Sequence, residues 1–211
     1  MQTDNLRAVR LVVSLSLNFT TRQTAHKLRL TAALCELNER DMSKIQVHKG
    51  DITTAEADAI VNAANPKMLG GGGVDGAIHQ AAGPKLLEAC RKVKAINGIR
   101  CPFGEARITS AGDLPAKFVI HAVGPRYKQE EEPEKLLRSA YRQSMNLAVQ
   151  NNCSSIAFPA LSCGAYGYPA EEASDIAVRV CSDRQYCNMS VEFFMFTSEL
   201  YEVWLRKVRS A

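Results

Sequence analysis

None of the seven cysteines, at positions 35, 90, 101, 153, 163, 181 and 187, forms a CxxC pair or joins a histidine at zinc-finger spacing. That argues against a structural zinc site written into local sequence. The odd number of scattered thiols fits a reduced, intracellular compartment rather than a secreted disulfide framework. No apolar run approaches the roughly 18 residues of a membrane span. Charge of one sign is also missing from most of the chain. The formal net charge of +4 arises in residues 1–35, where Arg7, Arg10, Arg22, Lys27 and Arg29 face only Asp4. Residues 36–211 hold 21 basic and 21 acidic residues. With no long Lys/Arg run and no basic stripe interleaved with aromatics, no nucleic-acid partner is expected.

Several catalytic signatures are absent too. No Gly-Lys-Ser/Thr closes the glycine run 70–73, so it is not a nucleotide P-loop. Gly71-x-Gly73-x-x-Gly76 matches the letters of a dinucleotide fingerprint, yet residues 66–70 separate it from Asn65 at the strand end. No acid lies between Glu88 and Glu105, where that fingerprint needs one. The last histidine is His121, so Ser162 cannot open a Ser–acid–His triad in hydrolase order.

What remains is a chain of 211 residues with 46% apolar content, enough for one domain and an extension. In residues 1–43, apolar side chains alternate from Val9 to Phe19 as in a strand. The same stretch is basic and poor in acids, as in an organelle transit peptide. Both readings stand, and residues 1–40 give either a cytoplasmic or a mitochondrial protein. From residue 44 onward the pattern predicts strands at 45–48, 57–64, 105–111, 117–123, 155–161 and 191–196. It predicts helices over 74–95 (broken at Gly83-Pro84), 131–152, 169–183 and 198–208. Alternating strands and helices imply a sheet covered on both faces, an α/β/α architecture.

Function in such folds gathers at strand ends. Two loops qualify, 65–76 and SCGAYGYP at 162–169. Each follows an apolar strand, precedes a helix and carries glycines that let backbone amides turn toward an anion. Two such loops suggest a diphosphate.

KGDITTAEADAIVNAANPKMLGGGGVDGAIHQAAGP, TSAGDLPAKFVIHAVGP and IAFPALSCGAYGYP together resemble the macrodomain family, most closely its MacroD-type ADP-ribose hydrolases. The resemblance covers residues 44–208. It implies a three-layer α/β/α macrodomain with a central, mostly parallel (mixed) sheet. It also implies a metal- and cofactor-independent monomer that binds ADP-ribose and mono-ADP-ribosylated proteins. Such an enzyme hydrolyses ADP-ribose esters on Glu and Asp side chains and O-acetyl-ADP-ribose at the distal ribose; the alternative is a non-catalytic reader of ADP-ribosylated proteins. The adenine end would comprise Asp51, Ile52 and Phe196, although Asp51 also suits a turn cap and Phe196 a core position. Gly72, Gly73 and Val74, with Ser162, Cys163, Gly164, Ala165 and Tyr166, would wrap the diphosphate and reach the distal ribose. Asn65, Asp75 and His79 would form the catalytic group.

The residues give these roles physical sense. Asn65 offers an amide to ribose hydroxyls, or turns the chain before Pro66. Asp75 falls in the first turn of a helix, where the dipole stabilises a carboxylate by roughly 0.3–1 kcal/mol and favours its ionised form. His79 sits four residues on, on the same helix face, to orient Asp75 or simply pair with it. The second loop departs from the family's Ser-Thr-Gly followed by a β-branched residue. Cys163 is a weaker donor than threonine, and Ala165 packs less. Cys163 is either a thiol activated by the surrounding amides or a tolerated small residue.

Overall fold

The central strand explains the layering. In the computed structural model, which describes residues 44–211, the strand β2 (Ala59–Ala63) lies between β5 (Ser155–Phe158) and β4 (Phe118–Ala122). A strand covered on both faces carries apolar residues at both parities, and β2 is buried from Ala59 through Asn62. The remaining strands are β1 (Ile45–Lys49), β3 (Ala106–Ser110) and β6 (Ser190–Met195). The sheet order is β1-β6-β5-β2-β4-β3. Pairings are parallel except β3 with β4, which run antiparallel across the turn at 111–117.

Side-chain parity separates two cores. Ala59, Val61, Ile156, Phe158 and Phe193 pack on one face under the helices α3 (Pro133–Gln150), α4 (Ala170–Cys181) and α5 (Ser198–Arg209). Ile60, Val119 and Ala157 face the other side, under α1 (Gly73–Ala82) and α2 (Pro84–Lys92). Leu137, Ala140, Tyr141, Ser144, Met145 and Ala148 make the buried stripe of α3, the three-to-four-residue spacing of an amphipathic helix.

Breaks fall where backbone chemistry requires them. Gly83, with φ of 67°, ends α1, and Pro84 opens α2 at a position that needs no N–H donor. Pro159 ends β5 at Phe158, three residues short of the expected 161, because proline has no amide for the ladder. Other predicted elements agree to within a few residues. The strand and transit-peptide readings of residues 1–43 lie outside the described residues.

Candidate active site

Because β2 and β5 are parallel neighbours, the loops that leave their C-terminal ends emerge side by side. That edge is where ligands bind in open α/β sheets. The first loop ends on Gly72, the N-cap of α1, and the first-turn amides of a helix have no internal acceptors. In the second loop, the amides of Gly164, Ala165 and Tyr166 donate to no backbone acceptor among the described residues. A Cβ on Gly72, Gly73 or Gly164 would meet open space within 4 Å, so these positions border a free groove. Gly73 also adopts φ of 60°, a left-handed conformation that penalises any side chain.

Beneath the first loop lies a buried polar network. Asn62 on β2 donates from Nδ2 to Asp75 Oδ1 at 2.6 Å and approaches His121 Nδ1 at 3.2 Å. His121 Nε2 lies 3.0 Å from Thr109 Oγ1, which itself donates to the Ser110 carbonyl at 3.1 Å. One proton arrangement satisfies this chain: neutral His121 accepts at Nδ1 and donates from Nε2. Burial holds the His121 pKa down at about 3, in keeping with that neutral ring.

Asp75 departs from expectation. Its residue is only 3% exposed, and burial pushes its carboxyl above the ordinary 3.8, opposed by the Asn62 hydrogen bond and His79. Desolvation therefore outweighs the helix dipole expected to favour the ionised form. Its oxygens also point inward: His79 Nε2 lies 3.6 Å from Oδ1, and Asn65 Nδ2 lies 3.4 Å from Oδ2. Asn65 is likewise engaged within the loop, donating to the Gly70 carbonyl at 2.9 Å and accepting from the Lys67 amide at 3.0 Å. The structure brings Asn65, Asp75 and His79 together as expected, but as supports under the glycines. A Cβ at Gly71 would stand 2.9 Å from Asp75 Oδ2, so the loop backbone rests directly on that carboxylate.

The second loop has a different foundation. Ser162 is buried with φ of 65°, and a Cβ on Gly124 would fall 2.2 Å from its Oγ. The turn closes through Gly167 N to Gly164 O at 2.9 Å and Tyr168 N to Ser162 O at 3.0 Å. Cys163 turns its thiol to the Leu161 carbonyl, and burial pushes its pKa up to about 12. The activated-thiol reading of Cys163 is thereby corrected, because desolvation overrides the surrounding amides. Ala165 is exposed in the same turn.

The ends of the groove differ in chemistry. At one end the Gly50 amide donates to Met195 O at 3.0 Å, joining the C-terminal ends of β1 and β6. Asp51 is exposed there and caps the following turn through Thr53 N at 2.9 Å. Phe196 is 80% exposed and thus no core residue; its ring is free to meet a planar ligand. Of the backbone and apolar contacts open to Ile52, the structure leaves the backbone, because its side chain is buried in the core under α1. At the other end, Tyr166 meets Phe103 edge-on at 6.2 Å, and the Arg126 guanidinium stands 4.9 Å over the Phe103 ring.

A Macro domain family model matches residues 61–177, more than half of the chain. The chain belongs to the macrodomain family. A macro domain-containing protein of Vibrio parahaemolyticus is 56% identical over 163 residues, covering 77% of this chain and 96% of its own length. An O-acetyl-ADP-ribose deacetylase of Escherichia coli K12 is 55% identical over 142 residues, 67% of this chain and 80% of its own. An Oceanobacillus iheyensis macrodomain solved with ADP superposes with a TM-score of 0.74 at 42% identity, covering 79% of this chain and 90% of that one. Variants of that protein replace a glycine (solved with ADPR), an asparagine and an aspartate. Their separations along the chain are those of Gly72, Asn65 and Asp75 in this macrodomain.

Sequence reading missed Asn62, Thr109, His121, Phe103 and Arg126. Asn62 and His121 carried a signal, since each is a polar residue inside an otherwise apolar strand and so demands a buried partner. Phe103 and Arg126 carried none, because their meeting depends on the fold. His79, Cys90 and His121 also converge, with one ligand atom from each within 4.8 Å of the others. The donor set fits a metal poorly: the His121 Nε2 proton faces Thr109, and burial raises the Cys90 thiol to about 11.

Proposed function

We propose that this macrodomain binds ADP-ribose along the groove and hydrolyses esters at its distal ribose. The substrates are O-acetyl-ADP-ribose and ADP-ribose esters of Glu and Asp side chains on proteins. The observation that carries the reading is the pair of amide-lined loops at the ends of adjacent parallel strands, open over Gly72, Gly73 and Gly164. The relatives named O-acetyl-ADP-ribose deacetylase support the chemistry. Phe196 and Asp51 receive adenine at the β1/β6 side, the amides of both loops receive the diphosphate, and Tyr166 and Phe103 border the distal ribose.

Ester hydrolysis adds one water across the bond between acyl carbon and ribose oxygen, releasing a carboxylic acid and ADP-ribose. The groove contributes mainly by fixing the diphosphate so that the ester is held in one geometry. Asn65, Asp75 and His79 act as positioning residues, because their polar atoms set the shape of the glycine loop.

Incubating the full chain with O-acetyl-ADP-ribose, and separately with a Glu-linked mono-ADP-ribosylated protein, tests the reading through release of free ADP-ribose. Release from both is the expected result. Tight ADP-ribose binding with no release from either would make the protein a reader of the modification instead.

A further inference from the structure

The distal-ribose end of the groove adjoins an unusual surface. Residues 89–104 carry Arg91, Lys92, Lys94 and Arg100 and no acid. Among the described residues, none of these cations, nor Lys67 beside them, takes part in an ion pair. Elsewhere, lysines and arginines of the same chain are repeatedly paired, as in Lys117 with Asp58 and Arg206 with Glu171. Arg91 and Lys92 end α2, where the helix dipole by itself favours cations. Lys67, Lys94 and Arg100 occupy no such position.

Between Lys94 and Arg100 the chain makes a tight reversal. Ile96 N donates to Ile99 O at 2.9 Å and Ile99 N to Ile96 O at 3.0 Å. Asn97 and Gly98 hold φ of 52° and 79° between them, the two-residue turn that left-handed centres permit. The turn lifts both isoleucines toward solvent, at 69% and 45% exposure. Held on one turn, the two side chains make a small exposed apolar tip beside the unpaired cations. The surface is fixed to the site, since Arg100 N and Cys101 N both donate to Pro66 O, and Arg100 Nη1 donates to Lys67 O. Asn65 and the glycine run belong to that same loop.

We propose that this basic, isoleucine-tipped turn docks the protein segment that bears the ester-linked ADP-ribose. The segment it fits is acidic, with an apolar side chain to cover Ile96 and Ile99. The inference rests on the hydrolase reading and names the substrate class for that site. With adenine at the β1/β6 end, whatever is bonded to the distal ribose leaves the groove at the opposite end, beside Phe103 and Pro66. The esterified side chain is itself neutral, so it is acidic neighbours along the segment that would complement the unpaired cations. A single-stranded nucleic acid would add stacking of its bases on free aromatic faces, and Phe103, the one aromatic in residues 89–104, is already set against Tyr166 and Arg126.

The test compares two substrates of the full chain, O-acetyl-ADP-ribose and an acidic peptide carrying Glu-linked mono-ADP-ribose. The variants are Lys92→Glu with Lys94→Glu, and Ile96→Ser with Ile99→Ser, all at exposed positions. The expected result for each pair is a fall of about ten-fold in kcat/KM for the peptide, through KM, with O-acetyl-ADP-ribose turnover unchanged; the fall is steepest at low salt for the lysine pair only. Equal loss on both substrates, or no loss on the peptide, would overturn the proposal. So would a loss seen only with a third probe run alongside them, RNA bearing a terminal ADP-ribose, which would reassign the surface to nucleic acid. If the wild-type chain turned over neither substrate, the hydrolase reading would fall, and binding would decide the surface. The same variants must then weaken the ADP-ribosylated peptide while sparing free ADP-ribose; equal affinities would overturn the proposal.

Discussion

The glycine loop after β2 stands on Asn62, Asn65, Asp75, His79 and His121, whereas the loop after β5 stands on Leu161, Tyr141 and the core around Phe158. The first foundation consists of polar groups that must agree on where each proton sits. The second consists of apolar volume and short-range turn bonds. Removing one partner from a buried polar chain leaves the next one orphaned, so errors there propagate. Removing one methyl from an apolar support leaves a cavity and little else. The first loop is therefore expected to be the more sensitive to pH and to isosteric changes, and the second to changes of bulk.

The largest effect should come from Gly73→Glu, which places a side chain on a left-handed backbone and a negative charge in the open groove. Calorimetric titration of a folded Gly73→Glu variant should show no ADP-ribose binding; retained affinity would remove the first loop from the site. Next come changes to Asp75. Asp75→Ala orphans the Asn62 amide and should cost about 1–3 kcal/mol in denaturant unfolding. Turnover should fall about 100-fold as the loop loses its support. Asp75→Asn removes the desolvated charge, so Tm at neutral pH should change little, but it sets an amide donor against Asn62 or Asn65 Nδ2, so the glycine loop loses a support and turnover stays impaired. A large drop in Tm for Asp75→Asn would show that the carboxylate charge itself holds the loop.

The pH dependence has a definite sign. Asp75 binds its proton more tightly folded than unfolded, so its contribution makes stability decline as pH rises above the ordinary 3.8 toward the raised folded value. His121 behaves in the opposite sense. Its folded pKa of about 3 lies below the ordinary 6.5, so the unfolded chain takes the proton first and stability falls as pH drops from 6.5 toward 3. Unfolding curves between pH 4 and 7 should steepen that loss in wild type relative to His121→Gln; identical slopes would mean the ring is protonated in place.

The second loop should answer to volume. Gly124→Ala drives a methyl into Ser162 and should cost about 1–3 kcal/mol, with ADP-ribose affinity reduced in step. Cys163→Ser is the smallest change, since the buried thiol acts only as a small donor to Leu161 O. Its turnover should match wild type, and loss of activity would restore a chemical role for the thiol.

Much of this contrast was legible before folding, but unequally. The four consecutive glycines and the run into α1 identified the first loop, because no packing role explains so many residues without side chains. The break at Gly83-Pro84 was likewise plain in the letters. Asp75 was legible only in part: its helix position is local and readable, while its burial is set by Asn62 and by residues far along the chain. Desolvation is a property of the assembled interior and has no local signature. Phe196 shows the same limit: the letters left it open between an adenine contact and a core position, and only the fold, which leaves it exposed just past β6, excludes the core position.

The pairing of β1 with β6 has a consequence for how the protein is made. Ile45 lies opposite Val191 and Lys49 opposite Met195, so nearly the first described residues wait for nearly the last. During synthesis both glycine loops leave the ribosome well before β6 does. Asp51 must wait for Phe196 before the end of the groove proposed for adenine exists. Closing so long a loop is the slow kind of event in folding. A nascent or prematurely terminated chain would thus carry both glycine loops without the Asp51–Phe196 end of the groove, and completion of the last strand is the step that finishes the proposed site.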